Sequence, residues 1–303
     1  MHIVVVDPSR VVLKMVAGLL EPRGYTVTTF TDSREALAFV TDEPSVDTLI
    51  TSLETRPITG LELCWAARLL AEARRPLYII VMSSLQNPRN VSEALDSGAD
   101  DFITKPPVAE ELHARLRAAQ RLTSMQRDLI RLAETDPLSG LLNRRAFFQR
   151  LKEASERAGD FGKLSLIMAD VDHFKSVNDT HGHDVGDAVI QTVASELSAM
   201  TAKDHGIVGR LGGEEFAVVL PGQAGAYGAD VAGSLRARIA ELRIKGQRGP
   251  IKLTCSFGVS EWSEGETVES LLKRADIALY EAKTTGRNRV VLASTDVMIA
   301  RTG

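Results

Sequence analysis

The sequence predicts an α/β protein with two domains joined by a long helix. Residues 1–106 alternate between short apolar runs and amphipathic stretches, residues 108–134 contain no glycine or proline, and further strands and helices follow residue 135. A chain of 303 residues is long enough for two hydrophobic cores at roughly 150 residues per domain. The predicted segments are an α/β domain at 1–106, a connecting helix at 107–134, a second domain at 135–293 and a tail at 294–303.

The composition argues against several classes of protein. The net charge of −4 gives no electrostatic reason to expect a nucleic-acid or membrane surface. The apolar runs are far shorter than the ~20 residues that a membrane span needs, and the N-terminus lacks the features of a signal peptide. Cys64 and Cys255 have no metal-binding or redox spacing, so we expect two buried, reduced thiols. These features predict a soluble, cytoplasmic protein with no nucleic-acid or membrane partner.

The first segment has the pattern of a doubly wound parallel sheet. Ile3 to Val6 is a continuous apolar run ending at Asp7, which is typical of a strand buried on both faces. Strands are predicted at 3–6, 25–30, 46–51, 77–82 and 100–103, with helices at 11–20, 33–41, 60–72 and 88–97 between them. Such alternation predicts a flavodoxin-like (βα)5 domain. Its ligands would bind at the carboxyl ends of the strands, where Asp7, Pro8, Ser52, Ser83 and Lys105 lie.

This segment resembles the receiver domain of two-component response regulators. The resemblance rests on V-V-V-D-P-S-R after the first strand, the helix start at Gly60 and G-A-D-D-F-I-T-K-P at residues 98–106. Receivers hold Mg²⁺ with two acidic residues after the first strand and accept phosphate on an aspartate after the third. Here the second acid is Pro8 and the acceptor position is Ser52.

Two other receiver positions are retained, since Ser83 and Lys105 match the switch hydroxyl and the phosphate-contacting lysine. A serine hydroxyl is a poorer nucleophile than a carboxylate, and one carboxylate is a weak cage for a hard dication. We therefore expect a receiver-like domain that is not phosphorylated on aspartate and that serves dimerisation or binds a protein partner. Glu54 lies nearby, but strand alternation argues against it as a substitute for the missing aspartate.

The connecting segment has the apolar spacing of a coiled coil. Its apolar residues recur at intervals of three and four: Leu112, Leu116, Ala119, Leu122, Met125, Leu129 and Leu132. One helix of ~40 Å fits this segment at 1.5 Å per residue. The stripe could cover its own domain, but it continues past what one small sheet can bury. We therefore favour a parallel two-stranded coiled coil and a homodimer formed through the receiver-like domain and this helix.

The second domain contains a glycine-paired turn, Leu211 to Phe216, between strands predicted at 206–210 and 216–220. The two glycines supply the positive φ angles that a two-residue hairpin needs. Glu214 and Glu215 follow them, and adjacent like charges are unfavourable unless a cation lies there. The turn therefore predicts a site for a metal-bound, phosphate-bearing ligand, although a solvated hairpin with two surface glutamates has the same sequence.

Asp170 follows the predicted strand 164–169 and would meet Glu214 if the two strands are neighbours. A few oxygen ligands with room for water and phosphate suit Mg²⁺ or Mn²⁺. Lys175 and the pair Lys283 and Arg287 would neutralise a triphosphate. Taken singly, each of these residues has a simpler explanation as a helix cap or a solvated charge.

Asn178 and Asp187 are candidates for recognising guanine. A carboxylate can accept from both the ring N–H and the exocyclic amine of guanine, whereas adenine would leave it unpaired. Both residues lie in a stretch broken by glycine and histidine, ahead of a helix predicted to run to about residue 202. The remaining predicted elements are helices from 144 onward, at 225–244 and at 268–284, and strands at 251–259 and 288–292.

The second domain is similar to the GGDEF family of diguanylate cyclases over nearly its full length. The matching motifs are D-P-L-S-G-L-L-N-R-R, D-V-D-H-F-K-S-V-N-D-T-H-G-H-D-V-G-D, R-L-G-G-E-E-F and A-D-I-A-L-Y-E-A-K-T-T-G-R-N-R. The resemblance implies an α+β domain with a palm-like sheet, and two GTP condensed to cyclic di-GMP with release of diphosphate. It also implies that two domains meet face to face, because each binds one GTP.

The resemblance assigns a role to each candidate residue. Metal would be held by Asp170, the carbonyl of Val171 and Glu214; the catalytic residues would be Glu214, Glu215 and Lys175; and the substrate would be held by Asn178, Asp187, Lys283 and Arg287. Many family members carry an inhibitory RxxD product site nine residues before the signature, but residues 203–206 read K-D-H-G. We therefore expect little product inhibition. There are two alternatives. The first is a non-catalytic GTP-binding adaptor, which the presence of Asp170, Lys175, Glu214 and Glu215 disfavours. The second is a cyclase with a mixed guanine and adenine dinucleotide product, which Asp187 disfavours.

Overall fold

A computed structural model describes residues 1–72, 75–84, 88–246 and 249–294. The predicted tail at 294–303 lies outside the described residues, apart from its first residue. The chain divides into two compact units, Met1–Arg131 and a second unit that begins at Leu132. No helix in the described ranges is both long enough and apolar enough to cross a membrane.

The first unit contains a five-stranded parallel sheet with the strand order β2-β1-β3-β4-β5. Its elements are β1 (His2–Val6), α1 (Arg10–Leu20), β2 (Thr26–Phe30), α2 (Ser33–Asp42), β3 (Val46–Ser52), α3 (Gly60–Glu72), β4 (Tyr78–Ser83), α4 (Pro88–Asp96), β5 (Asp101–Thr104) and α5 (Ala109–Glu134). This order and the alternation of strands with helices confirm the flavodoxin-like fold.

Both faces of the first sheet are covered, as the continuous apolar strands predict. On one face α1 and α5 pack against alternate strand residues such as Val5 and Ile80. On the other face α2, α3 and α4 pack against the intervening residues, such as Val4 and Ile79. Cys64 is buried in α3 and is not oxidised, and burial raises the pKa of its thiol to about 12.

The apolar stripe of α5 divides into a buried half and an exposed half. Leu112, Leu116 and Ala119 are fully buried against the sheet. Later members of the stripe are exposed, with Leu129 64% exposed and Leu132 75% exposed. The first half therefore covers the domain's own sheet, and the second half presents an exposed apolar stripe.

The second unit contains a mixed sheet with the strand order β12-β11-β6-β8-β7 and a separate β9–β10 hairpin. Its elements are α6 (Arg144–Phe161), β6 (Leu164–Val171), α7 (Phe174–His181), α8 (His183–Thr201), β7 (Ile207–Gly212), β8 (Glu215–Pro221), α9 (Gly225–Glu241), β9 (Ile244–Gly246), β10 (Gly249–Ile251), β11 (Cys255–Glu261), α10 (Val268–Thr284) and β12 (Val290–Leu292).

Helices cover this sheet on both faces, with β6 at its centre. Helices α8 and α9 pack on one face, against residues such as Ile167 and Phe257. Helices α6 and α10 pack on the other face, against residues such as Leu166 and Ala217. Because β6 lies between β11 and β8, side chains at its carboxyl end are close to both neighbouring strands.

Three predicted elements of this unit were wrong in extent. The single strand predicted at 251–259 is two strands, β10 and β11, because the intervening residues leave the extended ladder. The helix predicted at 225–244 ends at Glu241. The stretch around Asn178 and Asp187 is helical, since α7 and α8 meet at Gly182, which has a φ of +88°.

Candidate active site

The carboxyl end of β6 lies beside the glycine-paired hairpin. Strands β6 and β8 are antiparallel neighbours, and Asp170 is directly opposite Glu215. The N–H of Val171 donates to the carbonyl of Glu214 at 3.3 Å. The predicted convergence of Asp170 with the two glutamates therefore exists in the structure.

The hairpin has the two-residue loop that its glycines predict. Gly212 pairs with Glu215, so that Gly213 and Glu214 form the loop. Gly212 and Gly213 have φ angles of +149° and +52°, in the range that glycine adopts most easily. A Cβ added at either glycine would meet nothing within 4 Å. The loop therefore leaves open space beside its main chain for a ligand.

Hydrogen bonds from Arg210 link this hairpin to the start of the second unit. Its Nε donates to the carbonyl of Gly213 at 2.9 Å, and its Nη1 donates to Asp136 Oδ1 at 3.0 Å. Asp136 also accepts from the N–H and the hydroxyl of Ser139. Burial raises the pKa of Asp136, but these hydrogen bonds and the charge of Arg210 together hold it below the ordinary value. Sequence reasoning did not assign a role to Arg210, although its place just before the turn was a usable signal.

Asp170 is a buried carboxylate with one cationic contact. It is 7% exposed, and Lys283 Nζ lies 2.7 Å from its Oδ2. Burial raises the pKa of Asp170 to about 6; Lys283 opposes this increase, and the charges of Glu214 and Glu215 add to it. Three carboxylates close together repel one another and create a site that favours a cation.

Lys283 and Arg287 lie at the carboxyl end of α10. Lys283 is in the last turn of the helix, where a cation also complements the helix dipole. Arg287 is in the turn after the helix, and its side chain is exposed. Lys283 thus contacts the acidic cluster through Asp170, and Arg287 follows it by four residues.

Lys175 and Asn178 lie on α7, and Asp187 lies on α8. Lys175 and Asp187 are exposed. Asn178 Oδ1 is buried and has no hydrogen-bond partner among the described residues, and it packs so closely on Gly186 that a Cβ there would lie 1.8 Å away. An unpaired buried acceptor is costly, and a ligand that donates a hydrogen bond to it would remove that cost.

The acidic cluster fits a divalent cation that also binds phosphate. No group of three His, Cys, Asp or Glu side chains in the described ranges is arranged to hold a metal by itself. The predicted set, however, has only two carboxylates, Asp170 and Glu214, and a carbonyl, that of Val171. Oxygen ligands of this kind leave positions for phosphate oxygens, as Mg²⁺ sites in phosphoryl-transfer enzymes do. The ammonium group beside Asp170 shows that the cluster already attracts a positive charge.

The receiver-like site of the first unit is filled by its own side chains. Lys105 Nζ lies 2.6 Å from Asp7 Oδ2 and also contacts Ser52 Oγ and Glu54 Oε2. The Ser52 hydroxyl donates to Glu54 at 2.5 Å, and Ser83 Oγ lies 3.4 Å from the other Glu54 oxygen. Strand alternation was wrongly taken to exclude Glu54, because residues two apart along a strand lie on the same face, and Glu54 is two positions after Ser52, the last residue of β3.

Glu54 is therefore an acidic group in the place where sequence reasoning expected none. Burial raises its pKa, but hydrogen bonds from Ser52 and Lys105 lower it below the ordinary value overall. Ser52, Ser83 and Asp7 are buried, and the exposed Pro8 stands at the position of the second acid. The lysine thus has two carboxylate partners, and the buried serine takes the place of an acceptor aspartate.

Fold and site together define a protein with a receiver-like unit and a nucleotide-site unit of the palm type. The family model described as "Diguanylate cyclase, GGDEF domain" matches residues 133–289, and the response regulator receiver domain model matches residues 3–117. Because the first match covers just over half of the chain, the protein belongs to the GGDEF family.

Curated relatives share this organisation in part. "Response regulator PleD" of Caulobacter vibrioides is 35% identical over 257 residues, which cover 81% of this chain and 56% of PleD. "Diguanylate cyclase VdcA" of Vibrio cholerae is 42% identical over 178 residues, 58% of this chain and 50% of VdcA. The chain spans about half the length of these relatives.

Two solved structures each resemble somewhat more than half of the chain. The coiled coil and GGDEF domain of DgcB from Caulobacter crescentus, in complex with c-di-GMP, has a TM-score of 0.55 and 36% identity. That match covers 60% of this chain and 99% of the DgcB chain. Diguanylate cyclase SiaD, in complex with its activator SiaC from Pseudomonas aeruginosa, has a TM-score of 0.52 and 38% identity, covering 61% of this chain and 72% of the SiaD chain.

Proposed function

We propose that this protein is a diguanylate cyclase, which joins two molecules of GTP into cyclic di-GMP and releases two molecules of diphosphate. The proposal rests mainly on one observation: Asp170, the Glu214–Glu215 hairpin and Lys283 lie together at the carboxyl end of β6. Membership of the GGDEF family supports it. The domain that carries the reaction is 135–293.

In each half of the reaction a 3′-oxygen of one GTP attacks the α-phosphorus of the other. The bond from that phosphorus to the oxygen of the β-phosphate breaks, and diphosphate leaves. Glu214 accepts the proton of the attacking hydroxyl, and Glu215 supports that transfer. Both glutamates are partly exposed, so an attacking hydroxyl can reach them. Repeating the step in the opposite direction closes the ring.

The three candidate cations stabilise the charge that develops on phosphate. Lys175 acts on the α-phosphate, while Lys283 and Arg287 hold the triphosphate tail. Lys283 is bound to Asp170 in the structure, so it must exchange this carboxylate for phosphate when GTP binds. The negative charges of the nucleotide make that exchange favourable.

Asp170, Glu214 and the Val171 carbonyl would hold a divalent cation, Mg²⁺ or Mn²⁺. When bound, such an ion polarises the α-phosphate and lowers the pKa of the attacking hydroxyl. Asp170 would exchange its contact with Lys283 for the ion.

Asn178 and Asp187 select guanine over adenine. The unpaired Oδ1 of Asn178 is an acceptor that needs a donor, and guanine offers its exocyclic amine. Asp187 is exposed at the first turns of α8, where a carboxylate can accept from the ring N–H. Adenine lacks both donors at this edge and would leave the acceptors unpaired.

The enzyme would act as a homodimer, because each domain binds one GTP and the reaction joins two. The exposed half of the α5 stripe, at Leu122, Met125, Leu129 and Leu132, supports a parallel two-stranded coiled coil. The solved DgcB structure also contains a coiled coil next to its GGDEF domain. The receiver-like unit adds a second dimer contact or a surface for a protein partner, and the location that follows from the substrate is cytoplasmic.

The receiver-like unit would not be switched by aspartyl phosphorylation. Ser52 is buried and hydrogen-bonded to Glu54 and Lys105, so neither the acceptor nor the lysine is available to a phosphoryl group. Treatment with radiolabelled acetyl phosphate and Mg²⁺ should leave the chain unlabelled. Stable incorporation of phosphate in the first unit would contradict this part of the proposal.

Product inhibition through an RxxD site would be weak, because residues 203–206 lack both the arginine and the aspartate of the motif. Asp204, which lies one residue into this segment, accepts a hydrogen bond from the Tyr227 hydroxyl at 2.9 Å and so has a structural partner. Initial rates measured with increasing cyclic di-GMP should stay unchanged at low micromolar product. Strong inhibition there would contradict the expectation.

The test of the activity is incubation of the full chain with GTP and Mg²⁺, followed by chromatography of the products. We expect cyclic di-GMP from the wild type and none from Glu214→Ala, which loses the proton acceptor. A wild type that binds GTP but releases no cyclic dinucleotide would instead favour the non-catalytic adaptor. A mixed guanine–adenine product in the presence of ATP would favour the second alternative.

A further inference from the structure

Asp172 is a buried carboxylate that lies directly after β6, and no role in the proposed reaction has been assigned to it. It is 5% exposed. Its Oδ1 accepts a hydrogen bond from Ser256 Oγ at 2.7 Å, and its Oδ2 accepts one from Thr254 Oγ1 at 2.7 Å. Among the described residues no lysine, arginine or histidine forms a salt bridge with it. Burying a carboxylate without a cation is unfavourable, so its hydrogen bonds must satisfy it.

A third hydrogen bond reaches the carboxylate from a distant part of the chain. The main-chain N–H of Asn288 donates to Asp172 Oδ2 at 3.0 Å. Asn288 belongs to the turn after α10, in which Arg287 and Asn288 have φ angles of +59° and +43°. Two consecutive non-glycine residues in this left-handed region are uncommon and persist only when their surroundings hold them.

The turn is held at three places, and Arg287 lies between them. The N–H of Arg287 donates to the carbonyl of Ala282 at 2.9 Å, and the carbonyl of Arg289 accepts from the N–H of Phe257 at 2.9 Å. The contact with Asp172 is the third. Within the part of the chain that the structure describes, the guanidinium of Arg287 has no hydrogen bond or ion pair. The turn therefore fixes the point from which this side chain extends, and no other described contact holds the guanidinium.

We propose that Asp172 is a positioning residue, which holds the turn so that Arg287 points at the β- and γ-phosphates of GTP. The proposal rests on the proposed function. The end of β6 then fixes both phosphate-binding cations, since Asp170 contacts Lys283 and Asp172 holds the turn that carries Arg287. Asp172 touches neither the substrate nor the reacting atoms.

The geometry predicts different results for two substitutions. Asp172→Ala removes the acceptor for the Asn288 N–H, and a main-chain N–H cannot reverse its direction. Asp172→Asn keeps an oxygen facing that N–H, because its amide nitrogen can face the Ser256 hydroxyl, which can accept instead of donate. The asparagine variant should therefore rescue what the alanine variant loses.

The measurement is calorimetric binding of 3′-deoxy-GTP, which lacks the attacking hydroxyl, and of GMP, which lacks the outer phosphates, both with Mg²⁺ and the full chain. We expect Asp172→Ala to weaken 3′-deoxy-GTP binding roughly tenfold, the scale of one hydrogen bond to a charged group, and to leave GMP binding unchanged. Asp172→Asn should stay close to wild type. In an Arg287→Ala background, Asp172→Ala should cause no further loss.

Ser256→Ala is the matched control. It removes a buried hydrogen bond to the same carboxylate but leaves the oxygen that holds Asn288, so the preference for 3′-deoxy-GTP over GMP should not change. If Asp172→Ala does not fold in thermal melts, Thr254→Val provides the test, since it loosens Oδ2 and should reduce the preference by a smaller factor.

An equal loss of affinity for both nucleotides, or an additional loss in the Arg287→Ala background, would overturn the positioning role. An unchanged preference in a folded Asp172→Ala or Thr254→Val protein would do the same. Formation of cyclic di-GMP by the wild type decides the proposed function separately. A failure of this inference is therefore distinguishable from a failure of that function.

Discussion

Lys283 Nζ lies 2.7 Å from Asp170 Oδ2, and this ion pair joins a candidate phosphate-binding cation to a candidate metal ligand. Asp170 is 7% exposed, and its pKa is raised by burial to about 6. Burial therefore makes its ionised form less favourable than that of an exposed aspartate. The lysine contact offsets part of this cost before substrate binds.

This raised pKa makes stability depend on pH. Between about pH 4 and pH 6 the native state binds a proton at Asp170 more tightly than the unfolded chain, so stability falls as the pH rises through this window. Relative to Asp170→Asn, which does not titrate, the wild type should lose up to about 3 kcal/mol of unfolding free energy across it. Denaturant titrations without metal measure the difference. A pH-independent difference between the two proteins would contradict the assignment.

Arg210 should matter for turnover through the hairpin that it holds. Arg210→Ala removes hydrogen bonds to Gly213 and to Asp136, so we expect about 1–3 kcal/mol less stability and at least a tenfold lower rate of product formation, because Glu214 loses its fixed position. Arg150→Ala is the control: Arg150 pairs with Glu134 and does not contact the hairpin. Equal loss of rate in the two variants would argue against a specific effect.

Asp187 should control the choice of base. Asp187→Asn replaces one acceptor with a donor facing the guanine N–H, so kcat/KM for GTP should fall roughly 10- to 100-fold. Because kcat/KM for ATP should not fall with it, the preference for GTP over ATP should decrease. Competition between GTP and ATP, followed by product chromatography, measures the ratio. Asp184→Asn, which changes an exposed acid in the first turn of the same helix, should leave the ratio unchanged. Unaltered discrimination in Asp187→Asn would remove this residue from the guanine site.

The exposed stripe of α5 should determine oligomeric state. Leu129→Glu places a charge in the proposed seam, and we expect the dimer to dissociate and turnover to fall at least tenfold at micromolar protein. Sedimentation equilibrium reports the mass, and far-UV circular dichroism checks the fold. Arg121→Glu changes an exposed residue outside the stripe and should leave the dimer intact. A Leu129→Glu protein that stays dimeric would show that this helix face is not the seam.

The sequence was sufficient to predict most of the architecture, because long apolar runs and helical periodicity are local signals. Helix α10 was predicted over 268–284, the range that the structure shows. The β9–β10 hairpin was missed because its strands have three residues each, too few to show alternation. Asn178 was expected outside a helix because Gly182 follows it closely, but that glycine only separates α7 from α8.

The convergence of Asp170 with the hairpin was predictable, since it needed only that their strands be neighbours. Contacts between residues distant in sequence were not. Asp172 and Asn288 are 116 positions apart, and nothing local indicates their hydrogen bond. Glu54 was misjudged because strand alternation was taken to exclude it, although residues two apart along a strand lie on the same face, and β3 itself ends at Ser52.

The reaction proposed for this chain joins two GTP molecules. Its most direct test follows radiolabelled GTP with the full-length protein and Mg²⁺, and measures cyclic di-GMP and diphosphate together at several protein concentrations. We expect two diphosphates for each cyclic di-GMP, and a rate per protomer that rises with protein concentration until the dimer is complete. GTP that remains intact, or is converted only to GDP and phosphate, would contradict this expectation.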